Sequence, residues 1–254
     1  MSDFLIPQWP APSNVAALST TRRGGTSCAP YDDGAGGGGF NLGTHVGDDP
    51  QCVQANRRLL CGHLPAEPAW LNQIHGTRVV DAGFIARAGE VPDADASVAV
   101  EPGAVCIIQT ADCLPVLLCD RAGKVVGAAH AGWRGLLNGI LENTVAEMRL
   151  RGAQDLLAWL GPAIGPESFE VGEEVRAAFV LRDAATADAF RPLPSPGKFL
   201  ADLYQLARAR LDQVGVEHVY GGGFCTMREP ERFYSFRREP VTGRMVSMIW
   251  LRPA

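Results

Sequence analysis

The sequence has little of what would attract nucleic acid or hold a chain in a membrane. Its net charge is −5 and its pI is about 5.6, so the molecule as a whole does not attract polyanions. No apolar run is long enough to span a bilayer, and the N-terminal stretch MSDFLIPQWPAP lacks the basic and apolar regions of a signal peptide. We therefore predict no nucleic-acid partner, no membrane and a cytoplasmic location.

Familiar catalytic and metal-binding motifs are also missing. There is no CxxC and no HExxH, and the seven cysteines are an odd number without paired spacing, which favours reduced thiols. The glycine run 36–39 is followed by no Lys-Ser/Thr and no apolar helix, so it is not a phosphate-binding P-loop. It is typical of a surface loop.

The apolar pattern predicts one mixed α+β domain over residues 1–254, because strands outnumber those of a simple alternating α/β chain. Helical spacing appears in four segments, and strand patterns lie between them. The predicted helices cover residues 50–62, 133–151, 172–182 and 198–214. The last segment, FYSFRREPVTGRMVSMIWL, predicts two strands joined at PVTG.

Three reactive side chains stand at strand ends beside turns. His75 lies in NQIHG, Cys113 follows the strand VCIIQT, and His130 ends the strand VVGAAH. Two imidazoles and one thiolate suit a metal such as zinc, and three protein ligands leave a fourth position for water or substrate. The same atoms allow a metal-free alternative, in which Cys113 is a nucleophile, a histidine is its base and Asp112 orients that histidine. A third possibility is a binding module whose cysteine and histidines are structural or store a metal.

Groups suited to an anion lie around these residues. A helix begins near Trp133, and its N-terminus together with Arg134 favours a phosphate. Arginine is shaped for bidentate phosphate contact, and paired arginines recur along the chain. Asn41 and His45 crowd a tight turn in FNLGTHVGDD. We predict these substrate- or phosphate-binding residues: Asn41, His45, Arg57, Arg134, Arg237 and Arg238.

Several motifs together resemble the YfiH-type laccase-domain family. These are NQIHG, TADCLPVLL, AAHAGWRG, GPAIGP with FEVG, NLGTHVGDDP, and FYSFRRE with TGRM and IWL. They cover nearly the whole chain. The resemblance implies a four-layer α/β/β/α sandwich with mixed sheets, and it implies that His75, Cys113 and His130 bind zinc.

The resemblance also implies an activity. Members of the family are described as polyphenol oxidases, peptidoglycan editing factors and purine nucleoside phosphorylases. It implies phosphorolysis of adenosine, inosine, guanosine or methylthioadenosine, with adenosine deamination at the same site and Asp112 as a candidate general acid. The partners would be a nucleoside and phosphate, and the protein would be a monomer or a homodimer.

Two alternatives to this activity remain open. One is a peptidoglycan-precursor editing enzyme with Cys113 as a hydrolase nucleophile. The other is a copper-dependent polyphenol oxidase. A four-copper cluster needs on the order of ten histidine ligands, because imidazole is its main donor. The five histidines of this chain exclude such a cluster within one chain, which leaves only a single His₂Cys copper site.

Overall fold

The computed structural model describes residues 3–253. The helices within this range are α1 (Pro50–Cys61), α2 (Ala82–Ala88), α3 (Trp133–Asn138), α4 (Ile140–Leu150), α5 (Glu173–Arg182) and α6 (Leu203–Gln213). The strands are β1 (Val15–Ser19), β2 (Arg23–Ser27), β3 (Val79–Asp81), β4 (Ala96–Ala99), β5 (Val105–Thr110), β6 (Leu114–Asp120), β7 (Val126–Ala131), β8 (Leu156–Leu160), β9 (Glu170–Gly172), β10 (Phe190–Pro192), β11 (Lys198–Ala201), β12 (His218–Gly221) and β13 (Met245–Leu251).

Two sheets form the centre of the molecule. The larger has six strands in the order β12-β8-β6-β7-β4-β3, and it is mixed because the β12–β8 and β3–β4 pairs are parallel. The smaller is antiparallel, in the order β1-β13-β5. A third, peripheral sheet has the order β10-β11-β9. Strands that are buried along their whole length, such as β6 and β7, require cover on both faces of the larger sheet.

Helices cover one face of the larger sheet and the smaller sheet covers the other, so the elements stack in four layers. Alternate residues of β6 point to opposite faces, so Leu117 packs toward the smaller sheet while Val116 packs toward helices α3, α4 and α6. The far face of the smaller sheet is covered by Leu60 of α1, with Phe40 and Trp70 from the preceding and following loops. The order helix, sheet, sheet, helix confirms the predicted four-layer α/β/β/α sandwich. One domain over residues 1–254 remains a prediction.

Several predicted elements were wrong in detail. The helix predicted from Trp133 is two helices, because Gly139 adopts the left-handed conformation (φ 105°) and ends α3. The segment 198–214 begins as strand β11, and α6 starts only at Leu203, after the cap Asp202. The first of the two predicted C-terminal strands is absent from the described chain. Phe233 and Tyr234 are buried in a loop, and residues 236–238 form a turn.

Other elements were missed. Strand β4 directly follows the acidic residues Asp93 and Asp95, and α2 follows β3 directly with Asp81 as its cap. In the segment after His75, Val79–Asp81 forms the short strand β3. Among the described residues, no helix combines the length and apolar character needed to cross a bilayer.

Candidate metal centre and its cavity

Three segments that are distant in sequence bring His75, Cys113 and His130 together. Cys113 lies in the turn between β5 and β6, and β6 pairs with β7 so that Pro115 stands opposite His130. The three donor atoms all lie within 4.8 Å of one another, and Cys113 Sγ is 3.7 Å from His75 Nε2. The two imidazole rings meet edge to face, with their centroids 4.8 Å apart. The predicted convergence of these side chains is therefore present.

Asp95, which the sequence analysis did not select, holds two of these residues in place. Its carboxylate is fully buried and accepts hydrogen bonds from the backbone N–H groups of Ile74, His75 and Gly76, at 3.2, 2.9 and 2.7 Å. It also lies 2.8 Å from His130 Nδ1. A proton on Nδ1 leaves Nε2 of His130 free to bind a ligand, as in carboxylate–histidine–metal arrangements. The backbone bonds support the positive φ of His75, 60°, which is uncommon outside glycine.

Gly132, two residues after His130, lies close to the side chains of His75 and Cys113. A Cβ at this position would lie 2.7 Å from His75 Cδ2 and 3.1 Å from Cys113 Sγ. No side chain fits in that space without displacing one of the two groups. The glycine therefore allows the backbone after β7 to approach the candidate ligands closely.

The charges in this group favour a thiolate. Burial alone raises the pKa of Cys113, but the charge and hydrogen bonds of His130 and His75 outweigh burial and lower that pKa to about 6. Burial would lower the pKa of His130, yet the Cys113 thiolate and the hydrogen bond to Asp95 raise it to about 9. Thiolate is the form of cysteine that binds metals and attacks electrophiles.

The donor set fits a metal ion. Zinc bonds to histidine nitrogen and cysteine sulfur are about 2.0–2.3 Å long, which in a tetrahedral site places the donors roughly 3.3–3.8 Å apart. The Cys113–His75 separation of 3.7 Å lies in that range. The contact between His130 Nδ1 and the Asp95 carboxylate is a second observation that agrees with metal binding.

A cavity of about 490 Å³ opens at these residues. Of the predicted site residues, the cavity wall contains His45, His75, Asp112, Cys113, His130, Arg134 and Arg237. Aromatic side chains contribute an apolar part of the wall, among them Trp133, Phe169 and Phe236. Burial, reinforced by the nearby charges of Arg244 and Arg57, lowers the pKa of His45. The cavity thus combines apolar surface with a few polar and cationic groups, as ligand sites commonly do.

Asp112 has a different environment from the one predicted. Its two carboxylate oxygens accept hydrogen bonds from Thr226 Oγ1 and from the backbone N–H of Arg237, both at 2.6 Å. Its backbone carbonyl accepts from Ile164 N–H at 2.9 Å, and its φ is 90°. These contacts join three loops next to Cys113. They favour a positioning role for Asp112 over the general acid that we predicted.

Three predicted phosphate-binding residues lie outside the cavity wall. Asn41 is buried and bonds Asp48, Gly43 and the backbone of Arg244. Arg57 donates from Nε and Nη2 to the carbonyl of Leu42 and stacks 3.6 Å over the ring of Trp70. Arg238 uses all three nitrogens, on the carbonyls of Thr226, Met227 and Phe233 and on Glu239. Asn41, most donors of Arg57 and every side-chain nitrogen of Arg238 thus serve contacts within the protein, which the sequence pattern could not reveal.

Two further cavity residues were missed. Arg244 lines the cavity, and burial lowers its pKa while the charges of Cys113 and Asp112 act in the opposite direction. Gln109, the penultimate residue of β5, also lines the cavity and is only 8% exposed. Arg244 is a single arginine and Gln109 lies inside an apolar strand, so neither showed a pattern. The only signal for Asp95 was its place in the acidic stretch before β4.

The fold and the site define a protein of four sandwiched layers with a histidine–cysteine–histidine cluster at the mouth of one cavity. A profile of the family described as multi-copper polyphenol oxidoreductase laccase matches residues 16–252, and the chain belongs to this family. Relatives of known sequence or structure align with this chain over nearly its whole length.

Two relatives of similar length are both described as purine nucleoside phosphorylases. The chain is 53% identical to a purine nucleoside phosphorylase of Pseudomonas aeruginosa, over 99% of this chain and 100% of that protein. It is 52% identical to the purine nucleoside phosphorylase YfiH of Escherichia coli, again over 99% of this chain and 100% of that protein.

Among solved structures, a Neisseria meningitidis protein of family DUF152 has a TM-score of 0.92 at 50% identity, covering 99% of this chain and 100% of that chain. YlmD from Geobacillus stearothermophilus has a TM-score of 0.82 at 32% identity, covering 98% and 99%.

Proposed function

We propose that the protein is a zinc-dependent purine nucleoside phosphorylase that also deaminates adenosine at the same site. The nucleosides would be adenosine, inosine, guanosine and methylthioadenosine, and the second substrate would be inorganic phosphate. We further propose a cytoplasmic monomer or homodimer. The printed names of relatives about half identical over the whole chain support the phosphorylase activity. The observation that carries it is the single cavity that joins the candidate metal ligands to three arginines, Arg134, Arg237 and Arg244.

The reaction requires an anion beside a sugar. An oxygen of phosphate attacks C1′ of the ribose, the C1′–N9 bond breaks, and its electron pair leaves with the purine, which takes up a proton. The products are ribose 1-phosphate and the free base. Guanidinium groups hold phosphate by paired charge-assisted hydrogen bonds. Arg237 and Arg244 use only Nη1 for hydrogen bonds within residues 3–253, so their remaining N–H groups are available to a phosphate.

The metal would be held by His75, Cys113 and His130. Bound zinc supplies a Lewis acid that stabilises negative charge developing on a substrate oxygen or nitrogen. Asp95 keeps His130 in the tautomer that presents Nε2 to the ion. Trp133 and Phe169 offer flat apolar surfaces against which a purine can lie, which excludes water from the reacting atoms.

The test combines metal analysis with product analysis. Untagged protein is assayed with adenosine and phosphate, and the products are separated by chromatography. We expect adenine with ribose 1-phosphate, some inosine, and about one zinc per chain by elemental analysis. Cys113→Ala should lose both the zinc and the products while keeping the melting temperature within a few degrees. Absence of adenine, ribose 1-phosphate and inosine from the zinc-loaded protein would overturn the proposal.

One observation favours a second candidate function. Cys113, His130 and Asp95 are arranged as a nucleophile, a base and an orienting carboxylate, and this arrangement can act without a metal. It would suit the editing of peptidoglycan precursors by a cysteine hydrolase. Hydrolysis that persists in the presence of a strong chelator and disappears in Cys113→Ala would support this candidate. Activity that chelation abolishes would refute it.

Copper is the less favoured occupant of the metal site. Within residues 3–253, His75, Cys113 and His130 form the one group of three or more potential ligands that are close enough to hold an ion. Three ligands are too few to hold the four-copper cluster of a polyphenol oxidase. Elemental analysis of the untagged protein would identify copper directly. Phenol oxidation by a copper-loaded sample would support the oxidase.

A further inference from the structure

Gln109 is a cavity residue whose side-chain amide makes no hydrogen bond to residues 3–253. It lies near the end of β5 and is 8% exposed. Its Oε1 is buried and accepts no hydrogen bond, and its Nε2 donates to no group in the described part of the chain. A buried polar oxygen without a hydrogen-bond partner is rare in proteins and calls for a functional explanation.

The backbone of Gln109, by contrast, is held firmly. Its N–H donates to Oε1 of Gln73, and its carbonyl accepts from Nε2 of the same residue, both at 2.8 Å. It also stands opposite Val246 of β13 in the smaller sheet. The unpartnered amide is therefore placed on the cavity wall by a rigid strand end, as groups that recognise a ligand generally are.

The amide is also within reach of the reacting centre. Gln109 and Cys113 are four positions apart in the sequence, so their Cα atoms are at most about 14 Å apart even if the chain between them is extended. Both residues line the same cavity. A nucleoside is on the order of 10 Å long, so its sugar can lie at the metal group while its base reaches Gln109.

We propose that Gln109 recognises the 6-position of the purine ring. This inference rests on the proposed function. The amide nitrogen donates to the O6 of inosine or guanosine, and the amide oxygen, after a half-turn of the amide, accepts from the N6 amino group of adenosine. Because the protein holds neither atom by a hydrogen bond, the two orientations are close in energy and the substrate selects between them. One residue thereby serves both 6-oxo and 6-amino purines.

Two substitutions test this proposal. Gln109→Glu keeps the shape but, when ionised at pH 8, offers only acceptors; it should favour adenosine over inosine. Gln109→Met removes both functions and should weaken both substrates alike. The measurement is kcat/KM for adenosine and for inosine at the same phosphate concentration, because the ratio then cancels any effect on phosphate. Gln154→Glu, an exposed position, is the control for the change of charge.

We expect Gln109→Glu to raise the adenosine-to-inosine ratio about tenfold, and Gln109→Met to lower both values about tenfold with the ratio unchanged. Zinc content and melting temperature establish that each variant is folded. Folded Gln109 variants with wild-type ratios and wild-type kcat/KM would overturn the proposal.

Direct binding separates this inference from the proposed function. Free adenine and hypoxanthine are titrated into the zinc-loaded wild type and both variants by calorimetry. If the wild type binds these bases without cleaving nucleosides and Gln109→Glu shifts the preference toward adenine, the recognition role stands while the phosphorylase proposal fails. If the wild type binds neither base, both fail.

Discussion

Two neighbouring arginines, Arg237 and Arg238, differ more than any feature of their sequence suggests. Arg237 lies on the cavity wall, stacks 5.3 Å from the ring of Phe169 and gives only Nη1 to a protein group, the carbonyl of Glu170. Every side-chain nitrogen of Arg238 donates a hydrogen bond, either to a backbone carbonyl or to Glu239. Within residues 3–253, the first keeps donors without a protein partner, and the second holds the loops beside the cavity. The number of unfilled donors, and not the presence of charge, distinguishes the two arginines and makes Arg237 the better candidate for binding an anion.

The largest effect should follow from removing the free donors. Arg237→Met keeps much of the apolar stem but cannot contact phosphate. A hydrogen bond to a charged group contributes about 1.5–3 kcal/mol, so kcat/KM for phosphate should fall about 10- to 100-fold. Steady-state assays at varied phosphate measure this change, and denaturant unfolding should show little loss of stability. A folded variant with wild-type phosphate kinetics would place the anion elsewhere.

The adjacent position should give the opposite result. Arg238→Met leaves the carbonyls of Thr226, Met227 and Phe233 without their donors. The Arg238 side chain is 18% exposed, so solvent replaces part of the loss, and we expect the free energy of unfolding to fall by about 2 kcal/mol. Urea titration measures it. At temperatures where the variant is folded, its KM for phosphate should stay close to that of the wild type. Unchanged stability with a raised KM would reverse the roles assigned to the two arginines.

A smaller effect is expected away from the arginines, at Asp95. Asp95→Asn replaces one acceptor oxygen by a donor and weakens the hold on His130, so zinc affinity should fall about tenfold. Competition with a chromophoric chelator measures this affinity. Asp93→Asn, two residues away and exposed, is the matched control and should leave zinc affinity unchanged. Equal zinc affinities for the two variants would mean that the Asp95 carboxylate stabilises the backbone of residues 74–76 and has no effect on metal binding.

The sequence predicted that His75, Cys113 and His130 converge, and the structure groups their donor atoms. Reactive residues at strand ends beside turns are visible in a linear pattern, which is why these three could be selected. The four-layer architecture came from the family resemblance, since apolar periodicity alone gave only a mixed sheet protein. The same periodicity joined α3 to α4, because the backbone conformation of Gly139 is not written in the apolar spacing.

The groups around the ligands were harder to predict. Arg57 and Arg238 carry the charge that phosphate needs, but whether their donors are free depends on carbonyls that reach them through tertiary structure. Asp95 serves residues 19 to 35 positions away, a relation that no local pattern encodes. Gln109 is conspicuous only because its side-chain amide has no hydrogen-bond partner in the described part of the chain, and a sequence does not record missing contacts.

The Asp95 carboxylate accepts hydrogen bonds from the backbone of residues 74–76 and also contacts the imidazole of His130. One carboxylate thus links the loop that bears His75 to the strand that bears His130. We expect a displacement of the His75 loop to move the His130 ring through this shared carboxylate. The two histidines should accordingly shift in concert, so that the site opens or tightens as one unit.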